Sequence, residues 1–275
     1  MNVNKKVFLV TGGGSGIGRS IVLELLERGA SVATLDINQA GLDETVQLAG
    51  EAKDRLATFV IDVTDQTAVK SLPEKINAKF GAIDGVINNA GIIQPFVRVK
   101  DLDYDAIQRV MDVNFYGTVN VTKVFLPILL ERPEAHILNM SSMGSYAPVP
   151  GQTIYGAAKA AVKLFTEGLN SELRDTNVGV TVIFQGSTNT NIAANSGITS
   201  IPGMDEEAAE RAAIQTMSAE DAASQIVDAI EKGKYMAYVG SDARFMGILS
   251  RISPERAAKT IFNQMRSLLG EKTAK

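Results

Sequence analysis

The chain has 275 residues, 45% of them hydrophobic and 21% charged, with a formal net charge of -4, a balance suited to one large α/β domain with an extensive core. The absence of cysteine excludes disulfides, thiol catalysis and thiolate metal sites and fits a reducing compartment. An acidic chain also lacks the basic stripe of a general nucleic-acid binder, so nucleic acid is not an expected partner. From Arg244 onward seven Lys or Arg stand against two Glu, a local charge of +5 against -9 for the remainder. This basic tail reads either as the solvated face of a packed C-terminal helix or as a contact for a membrane or an anionic partner.

Along the chain, apolar and mostly β-branched runs alternate with segments of helical period. Strands are predicted over 6–11, 31–36, 57–61, 82–88, 135–140, 178–184 and 236–239, and helices near 16–28, 39–54, 66–79, 103–131, 152–175 and 218–232. Pro127 and Pro133 mark the last turn and the exit of the fourth helical region. This cadence gives right-handed parallel crossovers and a single-domain α/β fold, a doubly wound parallel sheet of about seven strands with helices on both faces. No linker, repeat or charge block divides it, so 1–275 is expected as one Rossmann-type domain. Within it three parts are distinguished, about 1–130, about 131–240 with a loop-rich segment over about 188–216, and a helical extension over about 241–275. The first apolar run, 7–11, is bounded by glycine and too short for a signal-peptide core or a membrane span, which makes the cytoplasm the expected compartment.

Ligands of such sheets bind at the carboxyl ends of the strands. The first such end reads Thr11-Gly12-Gly13-Gly14-Ser15-Gly16-Ile17-Gly18. Gly12 permits the tight turn, Gly16 lets the backbone approach a pyrophosphate at a helix N-terminus, and Gly18 allows close helix packing. The spacing G-x-x-x-G-x-G is neither G-x-G-x-x-G nor a P-loop, but inside a strand-turn-helix it points to a dinucleotide. Asp36 ends the second strand, eighteen residues beyond Gly18, where a carboxylate can accept from both adenosine ribose hydroxyls and repel a 2′-phosphate. No Arg or Lys follows at 37–40, so NAD is expected in preference to NADP. Asp36 could instead cap the turn into the next helix, where Asn38 is an equal candidate.

Tyr155 and Lys159 stand four residues apart in the alanine-rich run 152–162, and Ser142 precedes the tyrosine by thirteen. If that run is helical, phenol and ammonium project from one face, one turn apart. Bringing a phenol from a pKa of about 10 toward neutrality requires about 4 kcal/mol. A cation at about 4–5 Å in an effective dielectric near 20 supplies roughly 3–4 kcal/mol, so one lysine could do most of the tuning. Taken alone, such a Tyr is ordinarily an amphipathic core residue and such a Lys is solvated.

The chain resembles the short-chain dehydrogenase/reductase family over roughly 6–239. The matching residues are Thr11 to Gly18, Asp62-Val63, Asn88-Asn89-Ala90-Gly91, Asn114, Ser142, Tyr155-x-x-x-Lys159 and Gly186-x-x-x-Thr190, in family order. The resemblance implies that Gly12, Ser15, Gly16, Ile17, Gly18 and Asp36 hold the cofactor. Asp62 and Val63 would contact the adenine, Asn89, Ala90 and Gly91 lie along the dinucleotide, and Gly186, Thr188 and Thr190 flank its carboxamide and pyrophosphate. It further implies that Tyr155 is the general acid/base of a hydride transfer between nicotinamide and a secondary alcohol or ketone. Ser142 would polarise the reacting oxygen, Lys159 hold the nicotinamide ribose and lower the phenol pKa, and Asn114 anchor a water that links Lys159 to solvent. Asn114 could equally be a structural helix breaker. The family interval selects Ser142 over Ser141, leaving Ser141 a structural role. The resemblance also implies that the part over about 1–130 is the cofactor-binding half, that the part over about 131–240 is the catalytic half and that the segment over about 188–216 is its lid. No metal is implied, and a homodimer or homotetramer is.

One departure stands out. Where the family has Pro-Gly after the sixth strand, this chain has Gln185-Gly186, which frees a backbone N–H and loosens φ at the turn. Ser142, Met143 and Gln152 are the candidate substrate contacts; Met140 and Met204 are weaker ones. Ile198, Ile201 and Met204 in the lid suggest an apolar small-molecule carbonyl or alcohol. His136, the only histidine, reads as a surface or satisfied residue. Ser253-Pro254-Glu255 resembles a helix start, with a stripe of Ile261, Phe262, Met265, Leu268 and Leu269 to pack on its own domain or on a neighbouring subunit. A non-catalytic NAD-sensing protein, or an epimerase or dehydratase of the same superfamily, is the alternative. The first would be expected to lose Ser142, Tyr155 or Lys159, and the second is longer with a different glycine spacing.

Overall fold

A computed structural model describes residues 1–190, 192–199, 201–202 and 216–269 of the chain. The strands are β1 (Val7–Thr11), β2 (Ser31–Asp36), β3 (Leu56–Val60), β4 (Gly85–Asn88), β5 (Ala135–Ser142), β6 (Val178–Gln185) and β7 (Met236–Val239). They form one parallel sheet in the order β3-β2-β1-β4-β5-β6-β7, so the winding reverses between β1 and β4. Successive β1 residues feed opposite layers. Phe8 and Val10 join the core under α1 (Gly16–Glu27) and α9 (Ala219–Glu231). Leu9 joins the other core, with Leu72 and Ile76 of α4 (Leu72–Phe80), Phe125 of α6 (Gly117–Leu130) and Leu169 of α7 (Thr153–Glu172). A strand covered on both faces cannot alternate apolar with polar, which is why these runs are continuous.

Several boundaries differ from expectation for identifiable reasons. β5 and β6 run on to Ser142 and Gln185, which pair with each other, and Gln185 also pairs with Val239. Glutamine keeps the N–H that proline lacks, and the ladder runs through it. The expected helix over 39–54 stops as α2 (Gln39–Leu48), because Gly50, at φ +52°, turns the chain into a 3-10 segment. The helix over 66–79 divides into α3 (Gln66–Lys70) and α4, with Pro73 in the first turn of α4, where its missing N–H is tolerated. The helix over 103–131 continues from α5 (Tyr104–Met111) through a π-turn at Asp112–Tyr116 into α6, with Pro127 near its end. Tyr104–Leu130 is long and apolar enough to cross a bilayer, with a best-window mean hydropathy of 1.3; in this fold Val121, Phe125 and Leu129 pack it on the sheet.

Among the described residues the C-terminal extension holds two α-helices, α10 (Ser241–Ile252) and α11 (Pro254–Met265), where only the second was expected. In α10 apolar residues occupy both faces: Ala243 and Met246 are buried, whereas Phe245, Ile248 and Ile252 are exposed, so no single stripe marks the helix in sequence. Met246, Ala257 and Ile261 close a third core with Ala147, packing the extension on its own domain over the turn after β5. Of the predicted stripe, Ile261 and Leu268 are buried and Phe262 is exposed. His136 is buried with its Nε2 at 2.9 Å from Thr181 Oγ1, and burial pushes its pKa down to about 4. The stretch between Ile201 and Thr216, and with it Met204, lies largely outside the described residues.

Candidate active site

At the point where the winding reverses, the loop after β1 and the loop after β4 enclose a cavity of about 320 Å³. Gly12, Ser15, Gly16, Ile17, Gly18, Asp36, Asp62, Val63, Asn89, Ala90, Gly91 and Thr190 all line it. Sterics explain the glycines. A Cβ on Gly12, whose φ is +73°, would lie 2.9 Å from Ala90 Cα, and one on Gly18 would lie 1.9 Å from the Gly12 carbonyl oxygen. Thr11 Oγ1 accepts from the N–H groups of Asn89 and Ala90, at 3.0 and 2.9 Å, and Asn89 Nδ2 donates to Thr11 O at 3.0 Å, tying the two strand ends together. Asp36 accepts from Gly14 N and Asn38 N at 2.9 and 3.0 Å, while Asn38, not Asp36, caps α2 through Gly41 N. Among the described residues no Lys or Arg lines the cavity; Arg19, next to it, donates to the Gly14 carbonyl and pairs with Glu44 at 2.7 Å.

Other lining residues were not predicted. Leu35, Ile37, Ile61, Ile92 and Val113 give the cavity apolar walls, and Asn195, in the short helix α8 (Ile192–Asn195), donates to Ser15 Oγ at 2.8 Å across its mouth. Ile37 carried a usable signal, being an apolar residue immediately after the strand-ending Asp36. Val113 is brought in by the π-turn, which no local pattern announces. Gly186, Thr188, Tyr155 and Lys159 lie outside this cavity. Gly186 instead gives way to the C-terminal extension: a Cβ there would lie 2.1 Å from Asp242 Oδ1, and Asp242 Oδ2 accepts from Ser187 N at 2.7 Å. Thr188 Oγ1 accepts from Gln185 Nε2. The turn loosened by loss of proline is thus held by side chains.

The trio gathers where β5 ends against the first turns of α7. Tyr155 and Lys159 project from one face of that helix, with the ammonium 5.9 Å from the phenol ring centroid. Ser142 Oγ accepts from Gly144 N at 3.1 Å and donates to the Gln185 carbonyl at 3.5 Å, and a Cβ on Gly144 would meet both Ser142 Oγ, at 3.5 Å, and the Tyr155 ring, at 3.6 Å. Burial raises the phenol pKa, and Ser142 opposes that rise. Burial also lowers Lys159 to about 8, and its Nζ donates to the Met140 carbonyl at 2.9 Å. Ser141 turns the other way, its buried hydroxyl donating to Lys159 O at 2.9 Å. Met143 opens the 3-10 turn Met143–Ser145 beside Ser142.

Asn114 is fully buried in the π-turn and grips the loop after β4, accepting from Ile92 N at 3.0 Å and donating to Ile92 O at 2.8 Å. A Cβ on Gly91 would approach Asn114 Oδ1 to 2.6 Å and Lys159 Nζ to 3.3 Å, so all three meet at one point. Gln152 is buried, with Nε2 donating to the Gln94 carbonyl at 2.7 Å. Gln94 was not predicted. Its Oε1 caps α7 by accepting from Ile154 N at 2.7 Å and Tyr155 N at 3.2 Å; a lone amide amid Gly91-Ile92-Ile93-Gln94-Pro95-Phe96 was its only trace in sequence. Among the described residues no group of three or more His, Asp or Glu could hold a metal ion.

A doubly wound parallel sheet, a glycine-lined cavity at the reversal of winding and a Ser-Tyr-Lys cluster beside it define a dinucleotide-binding oxidoreductase. The chain belongs to the short chain dehydrogenase family, whose family model matches residues 6–200. It is 38% identical over 254 residues, 90% of each chain, to the Mycobacterium tuberculosis protein designated oxidoreductase SadH. In fold it resembles a Burkholderia phymatum short chain dehydrogenase/reductase in complex with NAD, with a TM-score of 0.81 at 24% identity over 92% of this chain and 96% of that one. A serine dehydrogenase complexed with NADP+ superposes with a TM-score of 0.73 at 28% identity, covering 82% and 88%.

Proposed function

We propose that the protein is an NAD(H)-dependent oxidoreductase that interconverts a secondary alcohol and a ketone, with Tyr155 as general acid/base. The observation that carries this reading is the convergence of Ser142, Tyr155 and Lys159: Ser142 Oγ and the Tyr155 ring both border Gly144, and the ammonium lies 5.9 Å from the ring centroid. Bound nicotinamide would supply the hydride chemistry. Tyr155 gives a proton to the carbonyl oxygen in reduction and removes it from the alcohol in oxidation. Ser142 donates to the same oxygen and polarises the carbonyl. Lys159 holds the nicotinamide ribose, and its charge, retained by most molecules at pH 7 with a pKa of about 8, favours the phenolate during proton transfer. Asn114, gripping Ile92 and reaching Gly91 beside Lys159, keeps that ammonium in place and anchors the water through which its proton exchanges with solvent.

The cavity suits the cofactor. Gly12, Ser15, Gly16, Ile17 and Gly18 offer the N-terminus of α1 to a pyrophosphate, and Asp62 and Val63 meet the adenine between apolar walls. Asn89, Ala90, Gly91 and Thr190 line the way toward the trio, with Gly186 and Thr188 beyond. Support for NAD over NADP comes from the Asp36 carboxylate and from the lack of any lining cation among the described residues. The substrate is a small, largely apolar carbonyl or alcohol, and the enzyme works as a cytoplasmic homodimer or homotetramer. A screen of ketones and secondary alcohols with NADH or NAD, followed at the nicotinamide absorbance, tests the reaction. Tyr155→Phe should abolish turnover while NADH binding stays nearly intact, and retained turnover would refute the role given to Tyr155.

A further inference from the structure

Beside the trio lies a polar feature that the mechanism leaves unused. Gln94 is wholly buried in the loop after β4, and Gln152, just ahead of α7, is 5% exposed. The two are clasped: Gln152 Nε2 donates to the Gln94 carbonyl at 2.7 Å, and Gln94 Oε1 accepts from Ile154 N and Tyr155 N at 2.7 and 3.2 Å. These contacts decide the orientation of both amides. A helix N–H only donates and a carbonyl only accepts, so flipping either amide would set donor against donor or acceptor against acceptor.

What remains is one donor, Gln94 Nε2, and one acceptor, Gln152 Oε1, both buried and both without a hydrogen-bond partner. Orphaned buried polar atoms are costly and correspondingly rare. Here two of opposite sense belong to two clasped side chains, one from the loop after β4 and one just ahead of α7, at the start of the helix that carries Tyr155. We propose that Gln94 and Gln152 form a substrate subsite for a neutral group that accepts and donates at once, a hydroxyl or an amide, carried near the reacting carbon. A carboxylate would set a lone pair against Gln152 Oε1, and an ammonium would set a donor against Gln94 Nε2. A hydroxyl or amide satisfies both. The inference rests on the function proposed above and narrows its substrate from a plain ketone to a hydroxyketone or ketoamide.

The test compares matched ketones with NADH: acetoin against butanone, and acetoacetamide against methyl propyl ketone. The subsite predicts kcat/KM at least about tenfold higher for the hydroxyl or amide member in the unaltered enzyme, with Gln152→Met collapsing that ratio toward one. Since Gln152→Met also breaks the clasp, a second measurement leaves the clasp intact. Calorimetric titration of the same compounds into the NADH-loaded Tyr155→Phe variant should show the same preference in Kd without turnover. Turnover of both members of each pair at similar kcat/KM, with similar Kd, overturns the subsite and leaves the reaction assignment standing. Tighter binding of acetoin and acetoacetamide with no turnover of any ketone overturns the reaction assignment and upholds the subsite. Binding of neither member overturns the subsite as well.

Discussion

Replacing Asp36 by Asn tests how the cavity selects its cofactor. Asp36 accepts from Gly14 N through Oδ2 at 2.9 Å and from Asn38 N through Oδ1 at 3.0 Å; an asparagine oxygen keeps the Gly14 bond and gives up the exposed one to Asn38, so the substitution removes charge with little change in shape. A 2′-phosphate carries about -1.5 to -2 charges at neutral pH. At about 5 Å from a carboxylate, in an effective dielectric between 80 and 20, it is repelled by roughly 1 to 7 kcal/mol. Asp36 is partly exposed to solvent, so the lower part of that range applies, and about 2–3 kcal/mol corresponds to roughly 30- to 150-fold. The unaltered enzyme should therefore favour NADH over NADPH by about that factor in kcat/KM at subsaturating cofactor. Asp36→Asn should erase most of the difference, mainly by tightening NADPH. Lower ionic strength should widen the discrimination of the unaltered enzyme. Equal rates with both cofactors in the unaltered enzyme, or an unchanged ratio in Asp36→Asn, would refute the electrostatic reasoning.

Other consequences can be measured directly. Gln94→Leu strips the acceptor from two N–H groups at the start of α7, a loss of about 2–6 kcal/mol at 1–3 kcal/mol per buried donor, toward the lower end because both bonds are only partly buried; urea unfolding should show it, with kcat falling more than NADH affinity because Tyr155 N is one of the two. His136 should make the fold acid-sensitive. Burial, aided by the nearby N-terminal ammonium, lowers its folded-state pKa from 6.5 to about 4, so between those values the unfolded chain binds more protons and stability falls as pH drops. The full effect is roughly 3 kcal/mol, complete below about pH 4. His136→Gln should flatten the decline between pH 6.5 and 4 in denaturant titrations, and an equally steep decline would exclude His136 as its source.

Much of this architecture is visible in the residues themselves. Strand positions followed from unbroken β-branched runs, because burial on both faces leaves no polar alternation to preserve. The glycines after β1 were legible because each answers a local steric demand: Gly12 sits at positive φ, and Gly18 has no room for a Cβ. The thirteen-residue interval picks Ser142 from its neighbour; in the fold Ser142 Oγ accepts from Gly144 N, whereas Ser141 Oγ donates to Lys159 O. What stayed hidden arises from contacts distant in sequence. Gln94 meets Tyr155 N across sixty-one positions, and Asp242 reaches Ser187 N across fifty-five. The helix Ser241–Ile252 escaped notice because its apolar residues are shared between a buried and an exposed face.

The Tyr155–Lys159 pair shows where the division falls. Helical period alone determined that phenol and ammonium share a face one turn apart, since that spacing is a property of any α-helix. Whether the lysine tunes the phenol depends on what surrounds both. Only the tertiary structure brings Met140 O to the ammonium, Ser142 to the phenol and enough apolar packing to lift the phenol pKa by desolvation. Backbone geometry is local and repeats along the chain, so the sequence carries it. Dielectric environment is set by every residue folded against the site, and it exists only once the sheet, α7 and the loop after β4 have closed together.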